Sequence, residues 1–230
     1  MALLDDLKNK INAYSTEKYE IEATTIVPST DYSRLTFGNK GLTSEFAFLF
    51  VDIRQSSQLH DVYGFKTAAK IYQSFHEINV RVITANQGTI RAFDGDRAMG
   101  VFAGDFKNSN AVMAALQIQW AIRDILNPIL GTTIKCGGGI DYGTTLITKV
   151  GRGRNSENQD LVWIGKASNH ASHLANEANN SIIISTESYN KLHDSRKIYD
   201  GREMWIVKTI TLKNGTKVNC YESVWGWVIN

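Results

Sequence analysis

The sequence predicts a mixed α+β fold with a central sheet, and three stretches carry that expectation. Phe46 to Ile53 is apolar at nearly every position, which suits a strand buried on both faces rather than a one-sided edge strand. From Leu59 to Asn86, Ala69, Tyr72, Phe75, Ile78 and Val82 recur at helical spacing. Thr89 to Phe93 and Ala98 to Phe102 are strand-length runs joined by Asp94-Gly95-Asp96, a hairpin signal.

At the N-terminus, Leu3, Leu4, Leu7 and Ile11 fall on one face of a short amphipathic helix. An apolar stripe must be covered, either by its own domain or by a dimer or partner contact. Tyr14 to Gly41 is polar, with turn signals at Val27-Pro28-Ser29-Thr30-Asp31 and Asn39-Lys40-Gly41, and reads as an irregular arm. The chain therefore divides into a helix and arm over 1–44 and a main domain over 45–230.

After the first strand, Ser56 and Ser57 are candidate caps for the helical region. Gly64 is expected to split that region into a short and a long helix, and Gly88 to end the long one. Asn108 to Leu126 predicts a helix with Pro128 just past its end. Thr133 to Tyr142 predicts a strand whose glycines, Gly137 to Gly139, suggest that another backbone or a ligand comes close. Gly143 is expected to turn the chain into a further strand, Thr144 to Val150, followed by a polar loop from Gly151 to Asn158. Leu161 to Ile164 and Ser181 to Ser185 read as strands. Helices are expected after Gly165, to about Asn179, and near Glu187 to Leu192. Ile206 to Val224 predicts a hairpin turning at Asn214-Gly215, with Trp205, Trp225 and Trp227 packing the tail. The order strand, two helices, two strands, helix, strand is the split βαβ plan of the ferredoxin-like type, βααββαβ, with an N-terminal helical arm and a C-terminal hairpin.

Composition narrows the classes. At 230 residues the chain is long enough for a full core, and its net charge of +2 provides no global field for nucleic acid or membrane. No basic groove is visible, which disfavours a polymerase-type palm. No apolar run approaches the roughly 20 residues of a membrane span. Residues 1 to 12 carry both charge signs, unlike a signal peptide, so the expected location is the cytoplasm. Cys136 and Cys220 lie in apolar runs and read as buried thiols.

Fold alone does not give function. Asp52 closes one buried strand and Asp96 sits in a tight turn beside another. If those strands are neighbours, two carboxylates reach one spot; a hard cation relieves their repulsion, and Mg²⁺ or Mn²⁺ suits oxygen ligands and substrate phosphates. The competing reading is that Asp52 caps the following turn and Asp96 is ordinary hairpin chemistry.

Four segments in order carry a resemblance: Phe50-Val51-Asp52-Ile53-Arg54; Gly88 to Phe102, with Gly95-Asp96 and Met99-Gly100-Val101-Phe102; Gly138-Gly139-Ile140-Asp141-Tyr142-Gly143; and Ile164 to Leu174. Together they resemble the class III nucleotidyl cyclase catalytic domain from about Phe46 to Val224. The resemblance implies two divalent metals on Asp52 and Asp96, assisted by the backbone carbonyl of Ile53. It implies in-line attack of the ribose 3′-oxygen on the α-phosphorus with loss of pyrophosphate, and a homodimer with active sites at the interface. Backbone donors after Asp52, from Ile53 to Ser57, would meet the phosphates. Asn169 matches the ribose-orienting asparagine.

The departures are informative. Where purine cyclases place polar base readers, this chain has Ala92, with Arg91 beside it, and Val162. A small or apolar side chain cannot make the polar contact, so a different base or other readers are implied. Arg91 is the candidate donor to a pyrimidine carbonyl, and Phe50 is grouped with these substrate-contacting positions. His173 stands where an arginine stabilises the transition state; Lys166, Arg152 and Arg154 are candidates to share that charge. Lys208, Lys213 and Lys217 lie where the family keeps a phosphate-contacting lysine. Asp141 and Tyr142 are expected to be structural, and His60, His76 and His193 to be surface or helix residues. The non-purine positions and the arm resemble the pyrimidine cyclases of the Pycsar antiphage system, which implies cyclic UMP or cyclic CMP as messenger and a separate effector protein, with UTP the expected substrate because more of that family uses it. The alternatives are CTP, a purine nucleotide, or a cyclase-like module that binds without turnover.

Overall fold

The computed structural model describes residues 2–151, 158–212 and 215–229. Helix α1 (Leu3–Thr16) and strand β1 (Glu20–Ala23) precede the long strand β2 (Lys40–Ile53). Helix α2 (Leu59–Ala85), strands β3 (Gly88–Asp94) and β4 (Arg97–Phe102), helix α3 (Lys107–Ala121), short helix α4 (Asn127–Leu130) and strand β5 (Cys136–Gly151) follow. The C-terminal half adds β6 (Gln159–Ile164), α5 (Lys166–Glu177), β7 (Ser181–Ser185), α6 (Thr186–Asn190), the small pair β8 (Ile198–Tyr199) and β9 (Arg202–Glu203), and the hairpin β10 (Ile206–Thr211) and β11 (Lys217–Ser223).

The main sheet runs β10-β11-β7-β5-β2-β4-β3, with β1 on β2 and β6 on β5. Strand β4 lies between β2 and β3, and β2 lies between β4 and β5. These are two interleaved βαβ units, the ferredoxin-like plan. Burial on both faces explains why β2 is apolar at nearly every position from Phe46 to Ile53. Ala47, Leu49, Val51 and Ile53 pack under α2 and α3, while Leu42, Phe46 and Phe48 pack with Leu35, Leu161 and Ala171 on the opposite face. By the same parity Asp52 belongs to the second face, the one that α5 covers.

The triple glycine serves a packing need. On β5, Gly137 and Gly139 lie directly beneath α5. A Cβ on Gly139 would stand 2.2 Å from both the Ala171 carbonyl oxygen and the Ala175 amide nitrogen. The expected close approach is thus by the helix backbone. Cys136 and Cys220 are buried free thiols, and burial pushes the Cys136 thiol up to about 12. Trp205 is buried in the main core, with Trp225 and Trp227 packed against it.

Several elements differ from the sequence expectation. Gly143 does not turn the chain: β5 is one strand of 16 residues, held straight by a ladder to β2 from Gly41–Thr148 to Ile53–Cys136. Gly64 does break α2, with φ 75 and ψ 158, but the helix ends before Gly88. Gln87 takes the left-handed turn (φ 64), and Gly88 opens β3, where a side chain would strike Phe102 and Ile83. Pro128 sits inside the helical run: the helix widens into a π turn over Ile122–Leu126, and Pro128 falls in the first turn of α4, where its missing N–H costs nothing. Neither Ser56 nor Ser57 caps α2, whose start at Gln58 has no side-chain cap.

The arm is less irregular than expected. Strand β1 pairs parallel with β2 from Glu20–Lys40 to Ala23–Thr43, so β2 begins before residue 45. Leu35 is fully buried, and Glu22 accepts from Arg34 at 2.8 Å and meets Lys40 at 3.0 Å. Helix α1 forms, yet none of its residues is buried, so its stripe is not covered by its own domain. The expected turn at Asn214-Gly215 and the loop from Gly151 to Asn158 lie largely outside the described residues.

Gly139→Ala is expected to lower the melting temperature by about 5–10 °C, because helix backbone cannot yield to a methyl group. Gly143→Ala, whose Cβ meets only the Ala167 Cβ at 3.5 Å, should leave it nearly unchanged. Thermal denaturation of the two variants side by side checks this.

Candidate active site

Strand pairing brings the two predicted aspartates together. Asp52 lies opposite Arg97 in the β2–β4 ladder, and Asp96 immediately precedes Arg97. The Ile53 amide donates to the Asp96 carbonyl at 3.2 Å. The Asp96 side chain lies on the same side of this junction and acts on the Asp52 carboxyl. Asp52 is only 8% exposed. Burial pushes its carboxyl above the ordinary aspartate value; Arg97 opposes this, and Asp96 adds to it. Its Oδ2 accepts from Arg97 Nη2 at 2.8 Å and meets Arg54 Nη2 at 3.0 Å. Its Oδ1 is buried with no partner.

An unpartnered buried carboxylate oxygen beside a second carboxylate is a donor set for a hard divalent cation. The residues present are chemically compatible with a hard divalent cation, which Asp52, Asp96 and the Ile53 carbonyl would hold. Among the described residues no cluster of three or more His, Cys, Asp or Glu side chains forms, so any further ligands there would come from backbone, water or substrate oxygens.

Arg97 was not anticipated as a site residue. It also donates to Ser172 Oγ at 2.9 Å and to Asn176 Oδ1, tying Asp52 to α5. Its register opposite Asp52 depends on strand pairing, which the linear sequence does not display. His76 is likewise more than a surface residue. Its Nε2 lies 2.8 Å from the Gly95 carbonyl, and its ring packs edge-on against Phe93 at 4.8 Å. The imidazole thus pins the turn that carries Asp96 to α2. His193 caps the turn at Ser195, and His60 pairs with Asp61 and stacks on Phe65 at the surface.

The proposed base-contacting positions are partly assembled. Ala92 pairs with Met99, and Met99 with Phe50, so Ala92 and Phe50 lie in one cross-strand row. Arg91 falls in a bulge between Ile90 and Ala92, a device that re-aims a side chain. Its guanidinium is half-buried and its Nε unpartnered; burial lowers its pKa, while Asp160 on β6 and Asp31 on the arm act in the other sense. Arg91 is thus not an outward strand charge. Val162 is 41% exposed and alternates with Leu161 and Trp163, which pack on the cluster that holds Phe50. The structure does not turn Val162 toward Phe50.

Asn169 and His173 line a separate cavity of about 1090 Å³ on α5, together with Lys166, His170 and Asp141. His173 Nε2 is buried without a partner. Asp141 is structural in an unexpected sense. Its Oδ1 accepts from Ser185 Oγ at 2.5 Å and from the Tyr142 amide at 2.8 Å, and its Oδ2 lies 2.8 Å from His170 Nδ1. That bond raises the His170 pKa against the effect of burial. A smaller cavity of about 610 Å³ adjoins Arg54, Gln55 and Gln58 after the Asp52 strand, where the phosphate contacts of Ile53 to Ser57 were expected. Asn176 borders both cavities. Lys208 is paired with Glu222 at 2.8 Å. Arg152, Arg154 and Lys213 lie outside the described residues.

No family model matches the chain. Among solved structures, the adenylyl cyclase CyaB from P. aeruginosa superposes with TM-score 0.68 at 19% identity, over 81% of this chain and 97% of that one. The guanylyl cyclase Cya2 gives TM-score 0.67 at 18% identity, over 81% and 95%. The fold is that of a class III nucleotide cyclase catalytic domain. A uridylate cyclase of Burkholderia cepacia is 33% identical over 236 residues, and one of Xanthomonas perforans 33% identical over 238, each covering 100% of both chains. The chain belongs to the uridylate cyclase family, and it is a nucleotide cyclase.

His76→Ala removes the clamp on the Asp96 turn. Amide hydrogen exchange at Gly95 to Arg97 should accelerate, and stability should fall by about 1 kcal/mol. Exchange measured by NMR separates this local loosening from a global one.

Proposed function

We propose that the protein converts UTP to 3′,5′-cyclic UMP and pyrophosphate, using two divalent ions, Mn²⁺ or Mg²⁺, in a homodimer. The observation that carries this reading is the convergence of Asp52 and Asp96 with an unpartnered Asp52 Oδ1, in a chain that aligns along its whole length with relatives named uridylate cyclase. When bound, the ions lower the pKa of the attacking hydroxyl and offset charge on the leaving group.

The chain's own residues do the rest. Asp52 and Asp96 hold the ion site, and His76 fixes the turn that presents Asp96. Arg97 and Arg54 supply positive charge beside the carboxylates. Asn169 orients the ribose so that its 3′-oxygen faces the α-phosphorus. As the bond from the 3′-oxygen to the α-phosphorus forms, the hydroxyl proton passes to water, the bond from the α-phosphorus to the bridging oxygen breaks, and pyrophosphate leaves. His173 takes the place of the family's arginine on the face of α5 one turn beyond Asn169.

Asp52 lies outside the cavity that holds Asn169 and His173. Two half-sites on one chain support the reading that two copies assemble the site between them. For the base, half-buried Arg91 beside Ala92 supports donation to a uracil carbonyl. A pyrimidine messenger acting on a separate effector in antiphage defence, from a protein working in the cytoplasm, completes the proposal. No helix of the described residues is long and apolar enough to cross a membrane.

Incubating the protein with each of the four nucleoside triphosphates and Mn²⁺ is expected to yield cyclic UMP and pyrophosphate from UTP, with other products at least about tenfold slower. A dominant product from another nucleotide overturns the substrate assignment. Asp52→Ala and Asp96→Ala should each reduce turnover by about a thousandfold or more while circular dichroism stays native; retained turnover would refute the ion site.

A further inference from the structure

We propose that His170, held by Asp141, is a second phosphate-binding cation of the α5 cavity, contacting the triphosphate and the departing pyrophosphate beside His173. The inference rests on the cyclase reading of the same cavity. Both Asp141 oxygens are already engaged, by Ser185 Oγ, by the Tyr142 amide and by His170 Nδ1. That bond fixes the imidazole and leaves Nε2 as its one remaining polar atom. Nε2 is buried and has no partner, although the ring lines the cavity. A buried donor left unpaired is costly, and the cavity is where its partner would enter.

The neighbours say what that partner is. His170 and His173 are three residues apart on α5 and so share a face, and the Nε2 of each lacks a partner. Lys166 borders the same cavity. The charged groups facing His170 are Asp141 from β5 and Glu187 from α6, with Lys166 and His173 on its own helix. Asp141 is occupied, and Glu187, although it lines the same cavity from α6, is solvent-exposed, so the unpaired donors of His170 and His173 with Lys166 favour an anion on the α5 side. Phosphate oxygens match this set, and a cation here makes up for the arginine that His173 replaces. Because Asp141, and to a smaller extent Glu187, raise the His170 pKa, the imidazolium is present at and below the ordinary histidine value. It is lost as pH rises through the elevated one.

The test uses the full chain and inorganic pyrophosphate in EDTA, followed by calorimetry from about pH 6 to about pH 9. Wild-type affinity should fall as pH rises. His170→Gln, whose amide can still donate to Asp141, should bind about tenfold more weakly at the acid end and lose the pH dependence. His170→Arg should restore affinity, and Asp141→Asn should move the midpoint to lower pH. In turnover, His170→Gln should raise KM for the triphosphate and lower kcat at the acid end. Unchanged pyrophosphate affinity in a natively folded His170→Gln, or a wild-type profile without pH dependence, overturns the proposal. Pyrophosphate binding that follows His170 in a protein making no cyclic nucleotide would instead overturn the proposed function and leave the anion site standing.

Discussion

A carboxylate taken out of water at the end of a doubly covered strand is the constraint on which this molecule turns. Desolvation disfavours the charge on Asp52, and the close approach of Asp96 disfavours it further. Two arginines offset this on one oxygen only, leaving the other unpaired. Such an arrangement is costly for a folded chain alone, and a bound cation would offset that cost. The neighbouring structure serves to hold that tension. The ladder to β5 fixes the strand, the hairpin delivers the second acid, and α2 fixes the hairpin through His76.

Much of the fold was legible because its signals are local. The apolar parity of Phe46 to Ile53, the hairpin chemistry of Asp94-Gly95-Asp96 and the break at Gly64 each act within a few residues. Where the reading failed, a longer-range effect prevailed. Gly143 carries turn propensity, but the long ladder to β2 holds the chain extended across it. Pro128 marks a helix end in isolation, yet the preceding π turn absorbs it. The arm appeared irregular because its strand is short and its partner, the start of β2, is only partly apolar.

The site was legible to the same degree and for the same reason. Asp52 and Asp96 stand out because acids at the ends of apolar runs are visible in one dimension. Arg97, His76 and the Asp141–His170 pair are defined by which strand lies beside which, and by which helix covers the sheet. From the sequence Asp141 reads as scaffolding. It is scaffolding, but what it supports is an imidazole opening into a cavity. The signal that could have found it is the alternation of β5, which puts Gly137, Gly139 and Asp141 on one side, with helix backbone over the first two and the His170 ring over the third.

The glycine floor under α5 sets the tolerance to which this half of the molecule is built. With helix atoms seated where side chains would otherwise stand, α5 cannot rock or sink independently of the sheet. Residues 166, 169, 170 and 173 stand on the rim of the helix that borders the cavity, away from that seat. A change of charge on that rim therefore leaves the mounting beneath in place.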